Sequence, residues 1–277
     1  MITPLSNPTI LAKAMIMEEY NRFPTVHLFN IPIKAMIMSQ VLDLIEQAIS
    51  AAAPLQIGVI NAAKVVNMYR NSALGADVLS SDVIFADGAS VVWASHILGT
   101  PLPERVAGID LMFGMLERGH KHGYRVYLLG ATEEVNQLVA ERINRDYPGV
   151  IVAGRRNGYF TEEDEEVIAH DIAMARPAIL LVAITSPKKE QFLARWSDII
   201  KVPICHGVGG SFDVYAGKVK RAPLSWQRCG MEWLYRLLQE PGRMWKRYLV
   251  TNSLFCWLVI RELGHKSFVG KQEGPAT

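Results

Sequence analysis

Short apolar runs alternate with helix-forming segments through the middle of this 277-residue chain, and this alternation limits the fold more than any other feature. Runs rich in Val, Ile and Leu predict six buried strands, at residues 56–60, 83–86, 125–129, 150–153, 179–184 and 203–206. The segments between them predict helices at residues 62–74, 88–98, 110–122, 133–147, 162–175 and 188–200. Strands and helices that alternate at this spacing indicate an α/β fold, with a mostly parallel sheet and helices on both faces.

The two ends of the chain lie outside this alternation. Residues 25–33 and 36–52 predict an additional edge strand and a covering helix, and residues 1–24 have the character of an N-terminal extension. We therefore divide the chain into this extension, a core at residues 25–217 and a C-terminal appendage at residues 218–277. Because the alternation stops before residue 218, the core is expected to fold without the appendage.

The appendage differs from the rest of the chain in its charge. Eleven Lys and Arg residues oppose four Glu residues between positions 218 and 277, which gives a net charge of +7. Since the whole chain carries +2, the first 217 residues carry −5. Trp and Tyr residues are interleaved with the basic ones, and this combination suits the headgroup layer of an anionic membrane. A solvated helix face is the alternative, but the aromatic content favours membrane docking.

The apolar runs are too short to predict a membrane-spanning segment. The most apolar one, at residues 248–260, has thirteen residues between Arg247 and Arg261, whereas a span requires roughly 20. The N-terminus lacks the basic region and the cleavage site of a signal peptide. Three widely spaced cysteines fit a reducing compartment. The sequence thus predicts a cytoplasmic protein that is peripheral on the inner face of the cell membrane.

Polar and glycine residues follow four of the predicted strands, where an open parallel sheet binds its ligands. Asn61 and Asp87 leave the first two strands, and Gly130 leaves the third and opens a helix whose N-terminus can hold phosphate. His206 and Gly209 lie in the glycine-rich segment of the last strand exit. Each has a structural alternative, such as a tight turn at Asp87 or Gly130 and a structural role for His206. Together they predict a nucleotide site.

Seven blocks of residues occur in an order that resembles one known family. They are Asp87-Gly88 with Val91-Val92, residues 104–111 (ERVAGIDL), 158–160 (GYF), 186–190 (SPKKE), 207–213 (GVGGSFD), 220–223 (KRAP), and 232–237 (EWLYRL) with Glu240-Pro241 and Arg243. Through these blocks, residues 56–247 are similar to the WecG/TagA/CpsF family of bacterial glycosyltransferases of cell-surface polysaccharide synthesis. Seven blocks in the right order make a chance match implausible.

The resemblance implies a Rossmann-like core and a basic helical appendage that docks on the membrane and closes the site. It also implies an inverting transfer of a hexose-type sugar from a UDP-sugar to a polyprenyl-diphosphate-linked sugar, as in exopolysaccharide assembly. The expected partners are the UDP-sugar, the lipid-diphosphate-linked acceptor and an anionic membrane surface, with no nucleic acid. No cofactor and no metal are expected, because Arg and Lys side chains would balance the charge of UDP.

Three candidate residues in the core are carried over from the resemblance. Asp87 matches the proposed catalytic base, which would take the proton from the acceptor hydroxyl. Arg105 matches an arginine expected near the diphosphate, and Asn61 matches an asparagine of the first strand-exit motif. Without the block around it, Arg105 has an ordinary alternative, an ion pair with Glu104 or Asp110.

The resemblance also assigns cations of the appendage to the site. Arg236 and Arg243 match arginines that would offset the charge of the leaving group, as any cationic clamp on a departing phosphate does. Lys246 or Arg247 would fill a third such place.

Two positions depart from the family pattern. The family commonly has Thr where this chain has Val59, and Gln where it has Lys189. Both positions would contact the sugar in the resembling enzymes, and losing a hydroxyl or exchanging an amide for a cation changes which sugar is favoured. A different hexose or a uronic acid is therefore at least as well supported as N-acetylmannosamine, the sugar that some members of the resembling family transfer. Lys188 and Lys189 lie at a helix start, where positive charge is electrostatically unfavourable, and this favours a functional role for them. The alternative is that the negative charge of Glu190 offsets theirs.

Two other classes of protein fit parts of the sequence. The appendage would suit a non-catalytic basic module that binds a membrane or nucleic acid, but the core is acidic and carries no recognised nucleic-acid motif. An NAD-dependent enzyme would share the architecture, but the glycine fingerprint and the acid that follows it are absent from the sequence. The sequence leaves open the donor sugar, the acceptor sugar, the linkage and whether the chain forms a homo-oligomer.

Overall fold

The computed structural model describes residues 8–272, apart from the side chains of Pro8, Arg243 and residues 265–272. The strands are β1 (Thr25–Leu28), β2 (Ile31–Lys34), β3 (Leu55–Ile60), β4 (Val83–Ala86), β5 (Arg125–Gly130), β6 (Ile151–Arg156), β7 (Ile179–Ala183) and β8 (Ile204–Gly207). The helices are α1 (Pro8–Arg22), α2 (Met38–Ser50), α3 (Ala62–Arg70), α4 (Ser72–Leu79), α5 (Ala89–Ile97), α6 (Gly108–His122), α7 (Glu133–Asp146), α8 (Glu165–Ala175), α9 (Lys188–Ile200), α10 (Ser211–Tyr215), α11 (Leu224–Arg228), α12 (Glu232–Gln239) and α13 (Pro241–Gln272).

Six of the strands form one parallel sheet in the order β4-β3-β8-β7-β5-β6. Side chains of β3 alternate between its two faces, since Ile57 and Val59 lie in one hydrophobic cluster and Ile60 lies in another. Helices cover both faces, with α6 and α7 on one and α3 and α9 on the other. The α/β fold predicted from the sequence is confirmed, and the ends of the six predicted strands differ from the observed ones by at most three residues.

The predicted edge strand at residues 25–33 is wrong, because this segment forms a separate antiparallel hairpin of β1 and β2. Phe29 and Asn30 connect the two strands with φ angles of 54° and 62°, the left-handed conformations that two-residue hairpin turns require. The turn reverses the chain, so β1 pairs with β2 instead of joining the main sheet. Leu28, Ile31 and Ile33 of the hairpin are buried in the same cluster as Ile60.

The single helix predicted at residues 62–74 is two helices, α3 and α4, separated at Asn71. The backbone of Asn71 is extended, with φ −133° and ψ 101°, and its Oδ1 accepts a hydrogen bond from the Leu74 amide at 3.1 Å. Asparagine is among the preferred N-cap residues, and a capped start requires the extended conformation found here. The same residue therefore ends one helix and begins the next.

Part of the predicted N-terminal extension is an ordered element of the fold. Residues 8–22 form α1, and Ile16 and Tyr20 of this helix are buried against the core. The Tyr20 ring meets the Phe85 ring of β4 edge-on, with centroids 6.5 Å apart. The rest of the predicted extension, residues 1–7, lies outside the described residues.

The C-terminal appendage is helical, as predicted, and it shares a hydrophobic core with the sheet. Its long helix α13 packs along α3 and buries Phe255, Leu258 and Val259 in the cluster that contains the hairpin. The Phe255 ring meets the Phe29 ring of the hairpin turn edge-on at 5.5 Å between centroids. Across the part of the chain that is described, no helix combines the length and the apolar character needed to cross a membrane.

Candidate active site

The carboxyl ends of β3 and β8 border a crevice at one edge of the sheet. β3 leads into α3, whose Val65 packs on one face, whereas β8 leads into α10, whose Phe212 packs on the other. Neighbouring strands whose helices diverge to opposite faces leave the space in which open α/β sheets bind ligands. Asn61, Asp87 and the loop at residues 207–210 all leave strands at this edge. Most of the strand-exit residues selected from the sequence therefore lie around one crevice.

Asn61 and Asp87 are held together at the ends of adjacent strands. The Asn61 Oδ1 accepts a hydrogen bond from the Lys64 amide at 3.0 Å and caps α3, while its Nδ2 donates to the Asp87 Oδ2 at 3.5 Å. The Asp87 Oδ1 accepts from the Gly108 amide at 2.8 Å, at the N-terminus of α6. Both side chains are half-buried. The Gly108 amide thus fixes Oδ1 at the start of α6 and leaves Oδ2 toward Asn61.

His206 is fully buried and contacts the carbonyl group of the same glycine, Gly108. Its Nε2 lies 3.0 Å from the Gly108 carbonyl oxygen. Burial is the main reason that the pKa of His206 falls to about 4, with Lys189 and Lys64 adding to it. The neutral imidazole therefore donates from Nε2 to the carbonyl at physiological pH. This placement favours the structural role weighed for His206 over the predicted substrate contact, because Asp87 and His206 together fix the position of Gly108.

Gly130 lies at the same edge of the sheet but farther along it. Two strands, β7 and β8, separate β5 from β3, a distance of about 14 Å at the usual strand spacing. Gly130 has a φ of 121°, and a Cβ at this residue would lie 2.4 Å from the Ala183 carbonyl group, so only glycine fits. The Thr132 Oγ1 caps α7, accepting from the Val135 amide at 3.2 Å. The turn at Gly130 and the capped start of α7 therefore have the backbone arrangement of a phosphate-binding turn. A single ligand would have to be extended to contact both this turn and Asp87.

Arg236, on α12 of the appendage, packs against the loop after β8. A Cβ built on Gly210 would come within 3.0 Å of the Arg236 guanidinium, so the absence of a side chain at Gly210 makes room for the arginine. Gly209 beside it has a φ of 53°. The Nε of Arg236 lies 3.7 Å from a carboxylate oxygen of Glu240. The structure therefore brings together Arg236 and the Gly209–Gly210 turn, which the sequence predicted separately.

Arg105 belongs to a network of four charged residues between the core and the appendage. Its guanidinium lies 3.0 Å from Glu232 of α12 and 3.9 Å from Asp110 of α6. Arg221 lies 2.7 Å from the same Asp110 and 3.5 Å from the same Glu232. The ion pair with Asp110, the alternative weighed from the sequence, is thus present. The network also binds residues 218–277 to the core through two charges of each sign.

The remaining predicted site residues are buried or lie on the surface of the appendage. Val59 is buried in the core beneath the crevice, and the Lys189 side chain is only 11% exposed. Arg247 is exposed on α13. The side chain of Arg243 lies outside the described residues, so its predicted role stays a prediction.

Five residues of this region were not selected as site residues from the sequence, although all but Lys64 lie within the family blocks quoted above. Gly108 contacts Asp87 through its amide and His206 through its carbonyl. Lys64 and Glu190 form a buried ion pair, and Arg221 and Glu232 complete the network around Arg105. Of these, Lys64 had a local signal, because it lies on the first turn of a helix capped by Asn61. The pairs between Lys64 and Glu190 and between Arg105 and Glu232 join positions more than 120 residues apart, which no local pattern indicates.

Side-chain cations supply positive charge at this edge of the sheet. Arg236 reaches the loop after β8, Arg105 lies in the segment that precedes α6, and Lys64 and Lys189 lie beneath the crevice. Within residues 8–272, no group of three or more His, Cys, Asp or Glu side chains is arranged to hold a metal ion.

The parallel sheet with helices on both faces is a Rossmann-like fold, and the carboxylate and cations at its strand ends fit an enzyme that transfers a group from a negatively charged donor. Comparison with known proteins agrees: residues 26–268 match the Glycosyl transferase WecG/TagA/CpsF family, and the chain belongs to that family. It is accordingly a glycosyltransferase, and the resemblance seen in its sequence blocks is confirmed.

Two relatives are both described as N-acetylglucosaminyldiphosphoundecaprenol N-acetyl-beta-D-mannosaminyltransferase. The protein of Bacillus spizizenii strain W23 is 38% identical over 180 residues, which cover 65% of this chain and 69% of that protein. The protein of Bacillus subtilis strain 168 is 37% identical over 199 residues, which cover 71% of this chain and 76% of that protein.

Proposed function

We propose that this protein transfers a hexose-type sugar from a UDP-sugar to a polyprenyl-diphosphate-linked sugar, with inversion at the anomeric carbon. The observation that carries the proposal is the arrangement of Asn61, Asp87 and Gly108, which holds a carboxylate at the crevice of a glycosyltransferase fold. The names of the two Bacillus relatives support a lipid-diphosphate-linked acceptor.

Asp87 is the proposed general base. Its Oδ1 already accepts a short hydrogen bond from the Gly108 amide, whereas its Oδ2 has only the longer contact to Asn61. The Oδ2 is therefore the oxygen that we assign as the proton acceptor. The acceptor oxygen forms a bond to the anomeric carbon as its proton passes to Asp87. The bond from that carbon to the β-phosphate oxygen breaks, and its electron pair leaves with UDP. Attack opposite the leaving group inverts the configuration.

Arginines on two sides of the crevice are suited to the developing charge on UDP. Arg236 already lies against the Gly209–Gly210 turn. Arg105 is paired with Glu232 and Asp110, so its proposed contact with the diphosphate requires it to share or exchange these partners. Fixed cations aimed at a leaving group lower the barrier most where water is excluded.

The appendage is also the proposed membrane-docking surface. Trp245, Leu249 and Ile260 of α13 are more than half exposed, and Lys246 and Arg247 beside them are exposed as well. Exposed aromatic and aliphatic side chains next to basic ones fit an anionic lipid headgroup layer. This supports a peripheral position on the inner face of the membrane, where a polyprenyl-linked acceptor is within reach of the crevice.

The direct test is a panel of UDP-sugars with a synthetic lipid-diphosphate-sugar acceptor, read by UDP release and product mass. One UDP-hexose or UDP-hexuronate should give UDP and a product heavier by one sugar, and NMR should find the anomeric configuration inverted. We expect the same rate in EDTA, because Arg and Lys side chains offset the charge of UDP. Loss of turnover in EDTA that Mg²⁺ or Mn²⁺ restores would contradict metal independence, and no transfer with any UDP-sugar would contradict the donor class.

The two proposed roles of the appendage should separate in point variants. Arg236→Ala should lower kcat by about 10²-fold, the usual cost of losing one preorganised charge contact, with vesicle binding unchanged. Trp245→Ala should weaken binding to anionic vesicles with little effect on turnover of a short-chain, water-soluble acceptor, because Trp245 is more than half exposed. Flotation and the soluble-acceptor assay on both proteins check this. Equal losses in both assays for either variant would show that the roles are not separable.

A further inference from the structure

Two buried lysines share a single carboxylate beneath the crevice. Lys64 of α3 and Lys189 of α9 place their Nζ atoms 2.7 Å and 3.2 Å from the same Oε1 of Glu190. The three side chains are 12%, 11% and 6% exposed. Two ammonium groups and one carboxylate leave this cluster, Lys64–Glu190–Lys189, with one positive charge in excess.

The excess charge is present near neutral pH. Burial opposes ionisation of Glu190, but Lys189 and Lys64 outweigh it and bring its pKa down to about 2. Burial, and then the charge of Lys64, lower the pKa of Lys189 to about 8, so its ammonium is still mostly protonated at pH 7. His206 on β8 faces the same cluster and is neutral at this pH. A buried charge without a counterion costs stability, and one lysine would suffice to pair with Glu190.

The cluster lies directly under the proposed donor site. The Nζ of Lys189 is packed against Gly207, where a Cβ would come within 2.4 Å of it. Gly207 is the last residue of β8 and begins the glycine-rich loop. Lys64 lies on the first turn of α3, three residues after Asn61. Both ammonium groups are therefore separated from the crevice by little more than the backbone at Gly207 and at the start of α3.

We propose that the Lys64–Glu190–Lys189 cluster is an anion-selecting element of the donor site, whose excess positive charge is neutralised when a negatively charged group of the donor binds in the crevice. This inference rests on the proposed function. The anion is either the diphosphate or a carboxylate on the donor sugar. Charge acts through a weakly polarisable interior over several ångströms, so direct contact is not required. A merely structural salt bridge predicts no dependence of ligand affinity on the second lysine.

The matched variants are Lys189→Met and Lys64→Met. Each removes the excess charge and leaves Glu190 one ammonium partner, so neither creates an unpaired buried charge, and thermal unfolding checks that each is folded. Calorimetric Kd values should be measured for UDP, UDP-glucose and UDP-glucuronate. If the diphosphate is the anion, both variants should weaken all three ligands by about tenfold or more. If the sugar carboxylate is the anion, only UDP-glucuronate should weaken. Lys121→Met removes an exposed lysine paired with Glu117 and should change none of them.

A second measurement uses the unmodified protein. An anion bound near Lys189 should raise the pKa of its ammonium, so ligand binding at pH 8.5 should take up protons, detectable as a dependence of the binding heat on buffer ionisation. Unchanged Kd values in both folded variants, or no proton uptake by a wild-type protein that binds the ligands, would overturn the inference. A wild-type protein that binds no uridine diphosphate compound would instead overturn the proposed function itself.

Discussion

Replacing Asp87 with Asn is expected to reduce kcat by about 10²–10⁴ while leaving the protein folded. An amide cannot accept the acceptor's proton, so the chemical step loses its base. The Oδ1 of Asn can still accept the bond that the Gly108 amide now gives to Asp87, so the start of α6 keeps its anchor. The measurement is single-turnover transfer with donor and acceptor both saturating, alongside thermal unfolding.

The same strand offers a matched control at its other end. Asp82 immediately precedes β4, and its Oδ2 accepts from the Gln56 amide at 2.8 Å. Asp82→Asn makes the same chemical change at the amino edge of the sheet and should leave turnover near normal. Near-normal turnover of Asp87→Asn would remove Asp87 from the role of base, whereas equal losses in both variants would point to a general effect on the fold.

Deleting the chain after Lys218 is expected to abolish cooperative unfolding or to lower Tm by more than about 10 °C. This reverses the expectation from the sequence, because Phe255, Leu258 and Val259 complete a core cluster that the rest of the chain cannot close. Burying one large apolar side chain contributes about 1.5–3 kcal/mol. The three together are thus comparable with the total stability of a domain, about 5–15 kcal/mol. The deletion also removes Glu232 and Arg221 from the network around Arg105.

A graded version of this experiment compares two aromatic residues of the same helix. Phe255→Ala should destabilise the protein by about 3–5 kcal/mol, since its ring is 5% exposed and packs on Phe29. Trp257→Ala should cost clearly less, because the residue is 47% exposed and its ring contacts Tyr69 and the Arg261 guanidinium at the surface. Chemical denaturation of both variants and of the deletion gives the three values. A deletion protein as stable as the full chain would instead establish that residues 1–218 fold independently of the appendage.

The parts of the fold that were predictable are those encoded locally. Buried strands in a parallel sheet are continuous apolar runs, so the six strands could be located to within a few residues. The hairpin was missed because its turn is Phe29-Asn30, without the glycine that usually marks such turns. The break at Asn71 was missed because a capping asparagine inside a helical pattern resembles an exposed polar position. The docking of α13 on α3 depends on contacts between distant segments, which have no local signature.

The residues of the candidate site also divide into those with a local sequence signal and those without one. Asn61 and Asp87 were found because each follows a strand, and strand ends of a parallel sheet meet at one edge. The contact of His206 was not predictable, since its partner is the backbone carbonyl of Gly108, 98 residues away. The sequence suggested both readings of Arg105, and the structure gives it the partner Asp110 together with one on the appendage, Glu232.

The two sides of α13 are subject to different demands as related sequences diverge. Its inward side, with Phe255 and Leu258, is tied to the hairpin and tolerates few substitutions without loss of the fold. Its outward side, with Trp245, Leu249 and Ile260, makes up exposed surface, so substitutions there leave the fold intact. Under the proposed docking role, the preference for one lipid composition over another can therefore be altered one exposed position at a time. Replacing the whole of α13 with an unrelated membrane-binding segment would instead remove Phe255 and Leu258 from the hydrophobic core.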